Sequence, residues 1–123
     1  MPEARDFQAT FRVLKALFAP YAPRLHATQD TDAFYMLDGE YSAQFKRTMF
    51  FGGVQIRRAY VSFHLMPIYT NPELLSRVSD TLKKRMQGKS CFNFVRPDRE
   101  LFVELSALVE RGFALYERLG WVK

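Results

Sequence analysis

The chain is poor in the residue types that build disulfides and most metal sites. Among 123 residues it has one cysteine, Cys91, and two histidines, His26 and His64. A single cysteine excludes a disulfide within the chain and a zinc site made of several cysteines. The two histidines lie 38 positions apart and no HExxH motif is present. The sequence therefore predicts no metal and no cofactor.

Long apolar runs are also missing. No stretch approaches the ~20 apolar residues that a membrane-spanning helix needs. The N-terminal segment MPEARDFQAT carries charged side chains where a secretory signal would be apolar. Secreted domains of this size usually contain disulfides. We therefore expect a cytoplasmic protein without membrane contact.

The length and composition of the chain fit one globular domain. The length is typical of a single domain, and no linker, repeat or low-complexity segment interrupts the chain. Hydrophobic residues make up 48% and charged residues 25%, which are proportions typical of a packed protein. We therefore expect a single domain over residues 1–123.

The net charge of +5 is concentrated in one segment. Residues 83–99 hold six basic side chains and one acidic side chain, so the rest of the chain is neutral overall. Such a patch can bind phosphate, nucleic acid or an acidic partner. A solvent-exposed helix end, where cations favour the helix dipole, also explains the segment. We favour the second explanation.

Hydrophobic periodicity predicts helices at both ends of the chain. A first helix over residues 2–18 has an apolar stripe made of Phe7, Phe11, Leu14 and Phe18. Asp98 caps a last helix whose apolar stripe continues to Gly120. A further helix is expected to begin at Asn71, and Ser79 is expected to cap a second segment over residues 80–86, with Gly88 as its C-terminal cap.

The middle of the chain predicts strands. The first extended segment begins near residue 24, where Leu25, Ala27 and Gln29 alternate with His26 and Thr28, and a turn is expected at Asp30–Asp32. Alternating patterns mark four further strands, over residues 33–39, 48–56, 60–66 and 90–95. The strand over residues 33–39 closes on Asp38-Gly39, a common turn signal.

Gly52 and Gly53 lie inside the strand over residues 48–56, where they indicate a bulge or a close backbone approach. A tight turn that splits this strand is the alternative.

Strands between two terminal helices favour a two-layer α+β sandwich. We expect a mainly antiparallel sheet with the N- and C-terminal helices packed on one face. In the strand over residues 60–66, the apolar side chains should face the helices. The alternate side chains, Tyr60, Ser62 and His64, should then lie on the uncovered face.

Three stretches stand out in order along the chain: FFGGVQI with YVSFHLMPIY at 50–69, NPELL at 71–75, and KKRMQGKSCFNF at 83–94. Together they resemble the bacterial YdhG-like family of small domains of unknown function. The similarity covers about residues 48–116. It implies a two-layer fold related in shape to frataxins, and no established catalytic residues.

The likeness to frataxins also suggests an iron-carrier role. Hard iron ions need several carboxylate oxygens close together. Acidic residues are sparse around the predicted first helix and the first extended segment, where Glu3, Asp6, Asp30 and Asp32 occur. The sequence therefore gives the iron role little support.

A candidate ligand site surrounds His64. Histidine titrates near neutral pH, so it can hold an anion or act as a general base. Arg57 or Lys89 would balance a ligand's charge, and Tyr60 would stack or donate a hydrogen bond. The expected ligand-binding residues are Arg57, Tyr60, Ser62, His64, Lys89, Cys91 and Asn93. A histidine merely hydrogen-bonded on a half-exposed sheet is the simpler explanation.

Cys91 allows a second hypothesis. A nearby Lys89 can lower the pKa of the thiol and make it a nucleophile. No catalytic cysteine–histidine signature surrounds it, and a lone cysteine in a strand is usually a small buried hydrophobe. No residue is therefore assigned as catalytic.

The function expected from these features is binding of a small anionic ligand or a protein partner on the sheet face around His64. The alternative is an enzyme that uses His64 or Cys91. Less favoured is single-stranded nucleic acid binding, with basic residues at 83–89 and Phe92 and Phe94 as stacking platforms. A homodimer through the uncovered face is a further expectation.

Overall fold

The computed structural model describes residues 6–122 and has the expected α+β architecture. The strands are β1 (His26–Asp30), β2 (Phe34–Ser42), β3 (Arg47–Ile56), β4 (Val61–Leu65), β5 (Met86–Gln87) and β6 (Cys91–Phe94). The helices are α1 (Phe7–Ala16), α2 (Met66–Thr70), α3 (Asp80–Lys83) and α4 (Arg99–Leu119). Short 3-10 helices cover Ala22–Arg24 and Pro72–Arg77. Within residues 6–122 no helix is both long enough and apolar enough to cross a bilayer.

All six strands form one antiparallel sheet in the order β1-β2-β3-β4-β6-β5. The terminal helices pack on one face of it, as predicted. Phe63 on β4 stacks on Phe18, which follows α1, with ring centroids 5.2 Å apart. Phe94 on β6 meets Phe102 of α4 edge to face at 4.9 Å. These rings lie in a single hydrophobic core between the two layers.

The first helix is shorter than predicted. It begins at Phe7, because the Asp6 side chain accepts the Ala9 N–H and caps the helix. It ends at Ala16, although Phe18 of the predicted stripe is still fully buried. The predicted residues 2–5 lie outside the described part of the chain.

The expected turn at Asp38-Gly39 is wrong, because β2 continues to Ser42. The reason is a contact with the end of the chain. A Cβ at Gly39 would lie 2.3 Å from the carbonyl oxygen of Trp121. That same oxygen accepts the Glu40 N–H at 2.6 Å. Glycine is therefore required here by a close backbone approach, not by a turn.

The two helical segments expected over residues 71–86 are shorter than predicted. Asn71 forms no side-chain cap, contrary to the prediction, and a 3-10 helix follows it. Ser79 caps the second segment as predicted, by accepting the Leu82 N–H, but this segment is the one-turn helix α3. Gly88 has a left-handed φ of 76°, but it lies in the turn between β5 and β6. Its predicted role as a helix cap is therefore wrong.

The last helix is as predicted. The Asp98 side chain accepts the Leu101 N–H at its start, and Gly120 ends it with a left-handed φ of 78°. Near its end, the buried Tyr116 donates its hydroxyl to the carbonyl oxygen of Phe50 at 2.6 Å. This hydrogen bond ties α4 to β3.

We predict that Tyr116→Phe lowers the free energy of unfolding by about 1–3 kcal/mol, because it leaves a shielded carbonyl without its partner. Tyr41→Phe is the matched control, since Tyr41 is 62% exposed. It should change stability by less than about 0.5 kcal/mol. Urea denaturation of both variants checks this, and equal effects would contradict the assigned role of Tyr116.

Candidate functional site

The sheet brings four of the predicted site residues together on the face opposite the helices. On β4, Ser62 and His64 alternate with the core residues Val61, Phe63 and Leu65. Strand pairing sets Asn93 opposite Ser62 and Cys91 opposite His64. Directly paired residues of an antiparallel sheet share a face. Ser62, His64, Cys91 and Asn93 therefore lie side by side.

The His64 imidazole lies between two side chains. Its Nε2 is 3.2 Å from the hydroxyl of Ser62, and its Nδ1 is 3.0 Å from the Sγ of Cys91. A neutral imidazole has one N–H donor and one acceptor nitrogen. If the thiol donates to Nδ1, then Nε2 carries the proton and donates to Ser62. A continuous chain of hydrogen bonds runs from Cys91 through His64 to Ser62.

Both members of the cysteine–histidine pair are held in their neutral forms. Burial lowers the pKa of His64, and the positive charge of Arg57 lowers it further. Burial raises the pKa of the Cys91 thiol, against a smaller opposing effect of a hydrogen bond with Ser90. Cys91 is therefore not the activated thiolate that the sequence hypothesis based on Lys89 required.

Arg57 and Tyr60 lie at one end of this cluster, in the turn between β3 and β4. The Arg57 N–H donates to the Tyr60 carbonyl oxygen at 2.7 Å. The Arg57 guanidinium donates to Gln55 at 3.3 Å, and Gln55 pairs with Ser62 across the strands. Arg57 is thus linked to the cluster by one intermediate side chain.

Lys89 is not brought to the same place. It lies in the turn between β5 and β6, beside the end of β4, where the Leu65 N–H donates to the Ser90 carbonyl oxygen. Its ammonium is 5.8 Å from the ring centroid of the exposed Tyr69. Arg57 lies in the turn before the first residue of β4, at the other end of that strand. The two expected cations therefore cannot hold one small ligand together.

Sequence reasoning missed two members of the face. Met36 pairs with Gly53, which in turn pairs with His64. Gln87 pairs with Cys91 and accepts a hydrogen bond from the Asn93 amide. Alternation within β2 sets Met36 opposite the core residues, but the strand order was needed to place it beside His64. We call Met36, Gln55, Ser62, His64, Gln87, Cys91 and Asn93 the polar face.

Two other predicted features have clear positions. Phe92 and Phe94 are at most 2% exposed and lie on the helix side of the sheet, so they cannot stack nucleic acid bases. The six basic side chains of residues 83–99 are all exposed. Among residues 6–122, no group of three or more His, Cys, Asp or Glu side chains is arranged to hold a metal ion.

Comparison with known proteins adds no relative. No protein-family model matches the chain, and no curated protein or solved structure matches it either. The YdhG-like assignment therefore stays a prediction that rests on the three sequence stretches.

We predict that His64 makes the free energy of unfolding fall as the pH is lowered. Its pKa in the folded protein is below the usual 6.5, so the unfolded chain binds the proton more readily. The contribution of neutral His64 is complete above pH 6.5 and is lost as the pH falls through the lowered pKa. His64→Gln should flatten this part of a plot of unfolding free energy against pH. Identical slopes in both proteins would contradict the assignment.

Proposed function

We propose that the polar face binds a small anionic ligand. The observation that carries the proposal is the position of the Arg57 guanidinium, which donates to Gln55 at 3.3 Å. Gln55 pairs across the strands with Ser62, whose hydroxyl lies 3.2 Å from His64 Nε2. An anion at this place would meet a favourable field. The hydroxyl of Ser62 and the amide of Asn93 supply neutral hydrogen-bond donors around it.

Carboxylate or phosphate oxygens fit this set of donors. The Arg57 guanidinium can donate two parallel hydrogen bonds to such a group. A bound anion would also raise the pKa of His64, because an opposite charge favours the imidazolium. Binding would then be accompanied by proton uptake and would strengthen as the pH falls toward the pKa of His64.

An enzyme that uses Cys91 and His64 is the second candidate. It is favoured by the 3.0 Å distance between Cys91 Sγ and His64 Nδ1, which is close enough for His64 to remove the thiol proton. The raised pKa of Cys91 opposes it, since burial disfavours the thiolate. Anion binding therefore ranks first.

The remaining expectations belong to the same proposal. The three motif stretches support a bacterial, cytoplasmic domain of the YdhG-like type. A permanent homodimer through the polar face has less support, because the centres of such interfaces are depleted in polar groups and rich in apolar ones. A protein partner with an acidic segment would use the same donors as a small anion.

Native mass spectrometry of untagged, gently purified protein tests the main proposal without assuming a ligand. We expect an added mass from a small anion. Calorimetric titration with inorganic phosphate then compares the affinity of the intact protein with that of its variants. Arg57→Gln removes a charge-assisted hydrogen bond worth about 1.5–3 kcal/mol, so it should weaken phosphate binding by about 10- to 150-fold.

Arg12→Gln is the control, since Arg12 is exposed on α1 in the helix layer. It should leave phosphate affinity unchanged. An unliganded mass together with no heat from phosphate would overturn the proposal. Equal losses in the two arginine variants would show that binding follows overall charge and not the polar face.

The enzyme alternative is tested by the reactivity of Cys91. We predict that iodoacetamide modifies the folded protein more slowly than the chain unfolded in guanidinium near neutral pH, because burial raises the thiol pKa. Intact mass against time measures both rates. If the folded protein were modified faster than the unfolded chain, and His64→Gln slowed the reaction of the folded protein, the enzyme would rank above anion binding.

A further inference from the structure

One row of residues crosses the polar face on four neighbouring strands. Met36 on β2 pairs with Gly53 on β3, Gly53 pairs with His64 on β4, and His64 pairs with Cys91 on β6. Because directly paired residues share a face, the four lie in one line across the sheet. The row therefore consists of a thioether, a glycine, an imidazole and a thiol.

Gly53 lets the thioether approach the imidazole. A Cβ at this position would lie 2.5 Å from the Sδ of Met36, so the methionine side chain occupies the space above the glycine. Cβ atoms of directly paired residues are about 4.5–5.5 Å apart, which places Sδ within about 8 Å of the His64 Cβ. Methionine has three rotatable side-chain bonds, so its sulfur can close the remaining distance.

The thiol and the imidazole are already in contact. Cys91 Sγ lies 3.0 Å from Nδ1 and 3.8 Å from Nε2 of His64. A metal bound to one sulfur and one nitrogen at about 2.3 and 2.0 Å, in tetrahedral geometry, holds these atoms about 3.5 Å apart. A small rotation of either side chain gives that separation.

We propose that Met36, His64 and Cys91 form a binding site for copper(I). Thiolate and thioether sulfur are soft donors that select this ion, and imidazole also suits copper. Zinc prefers four donors of the thiolate, imidazole and carboxylate types. Within residues 6–122, no three His, Cys, Asp or Glu side chains are close enough together to hold a metal ion. Copper(I) is satisfied by two or three donors.

The binding step conserves charge and involves no electron transfer. The Cys91 thiol releases its proton to solvent as the Sγ–copper bond forms, and the metal stays in its monovalent state. The resulting thiolate–copper unit has no net charge. A half-buried position disfavours charged groups, so it accepts this neutral unit more readily than a free thiolate or a divalent ion.

Anaerobic titration with copper(I) in competition with the chromogenic chelator bicinchoninate tests the proposal. We expect the intact protein to withdraw one ion per chain. Loss of an outer-shell partner of a metal site typically weakens metal binding by about 10- to 100-fold. Cys91→Ser and Met36→Leu each remove a proposed direct ligand, so each should weaken copper binding by more than this. Met86→Leu is the control, since Met86 pairs with the core residue Phe92 on the opposite face. It should leave the affinity unchanged.

X-ray absorption of the copper-loaded protein gives a readout that requires no variant. Two sulfur scatterers and one nitrogen scatterer are expected, with one sulfur lost in Met36→Leu. Failure of the intact protein to compete, or equal affinities of Met36→Leu and Met86→Leu, would overturn the three-donor site. Competition with bicinchoninate and X-ray absorption use no phosphate, and the phosphate titration uses no copper. The copper site and the anion site can therefore fail independently.

Discussion

Two adjacent glycines at the centre of β3 control what packs on each side of the sheet. On the helix side, a Cβ at Gly52 would lie 3.0 Å from the ring of Phe18, which is fully buried and contacts Phe51 and Phe63. On the other side, the place of a Gly53 side chain is taken by Met36. The absence of two side chains thus leaves room for Phe18 on one face and for the sulfur of Met36 on the other.

The polar face owes its chemistry to partial burial. Its side chains shield one another from water on an uncovered sheet. Partial desolvation keeps His64 and Cys91 neutral, while both remain accessible to solvent. Such a pair can gain a proton when an anion arrives, or lose one when a soft metal arrives. The proposed anion site depends on Arg57 and the hydroxyl and amide donors, whereas the proposed copper(I) site depends on the two sulfurs. His64 belongs to both proposals.

Much of the fold follows from local patterns, and the site follows only in part. Alternation along β4 correctly separated Ser62 and His64 from Val61 and Phe63, because one strand's faces are set by a period of two. Asp98 and Gly120 bounded the last helix for equally local reasons. The role of Gly39 depends on Trp121, and the neighbours of His64 depend on strand order. Met36 was missed for that reason, since alternation assigns a residue to a face but not to a neighbour on another strand.

The most direct measurement is the pKa of the His64 imidazole by NMR, with and without inorganic phosphate. Free protein should titrate below the usual 6.5, and phosphate should raise the pKa because the bound anion stabilises the imidazolium. Arg57→Gln should reduce this rise. A pKa that is unchanged by phosphate would contradict anion binding at the polar face. A normal pKa in the free protein would contradict the half-buried, positive setting on which the proposed anion site relies.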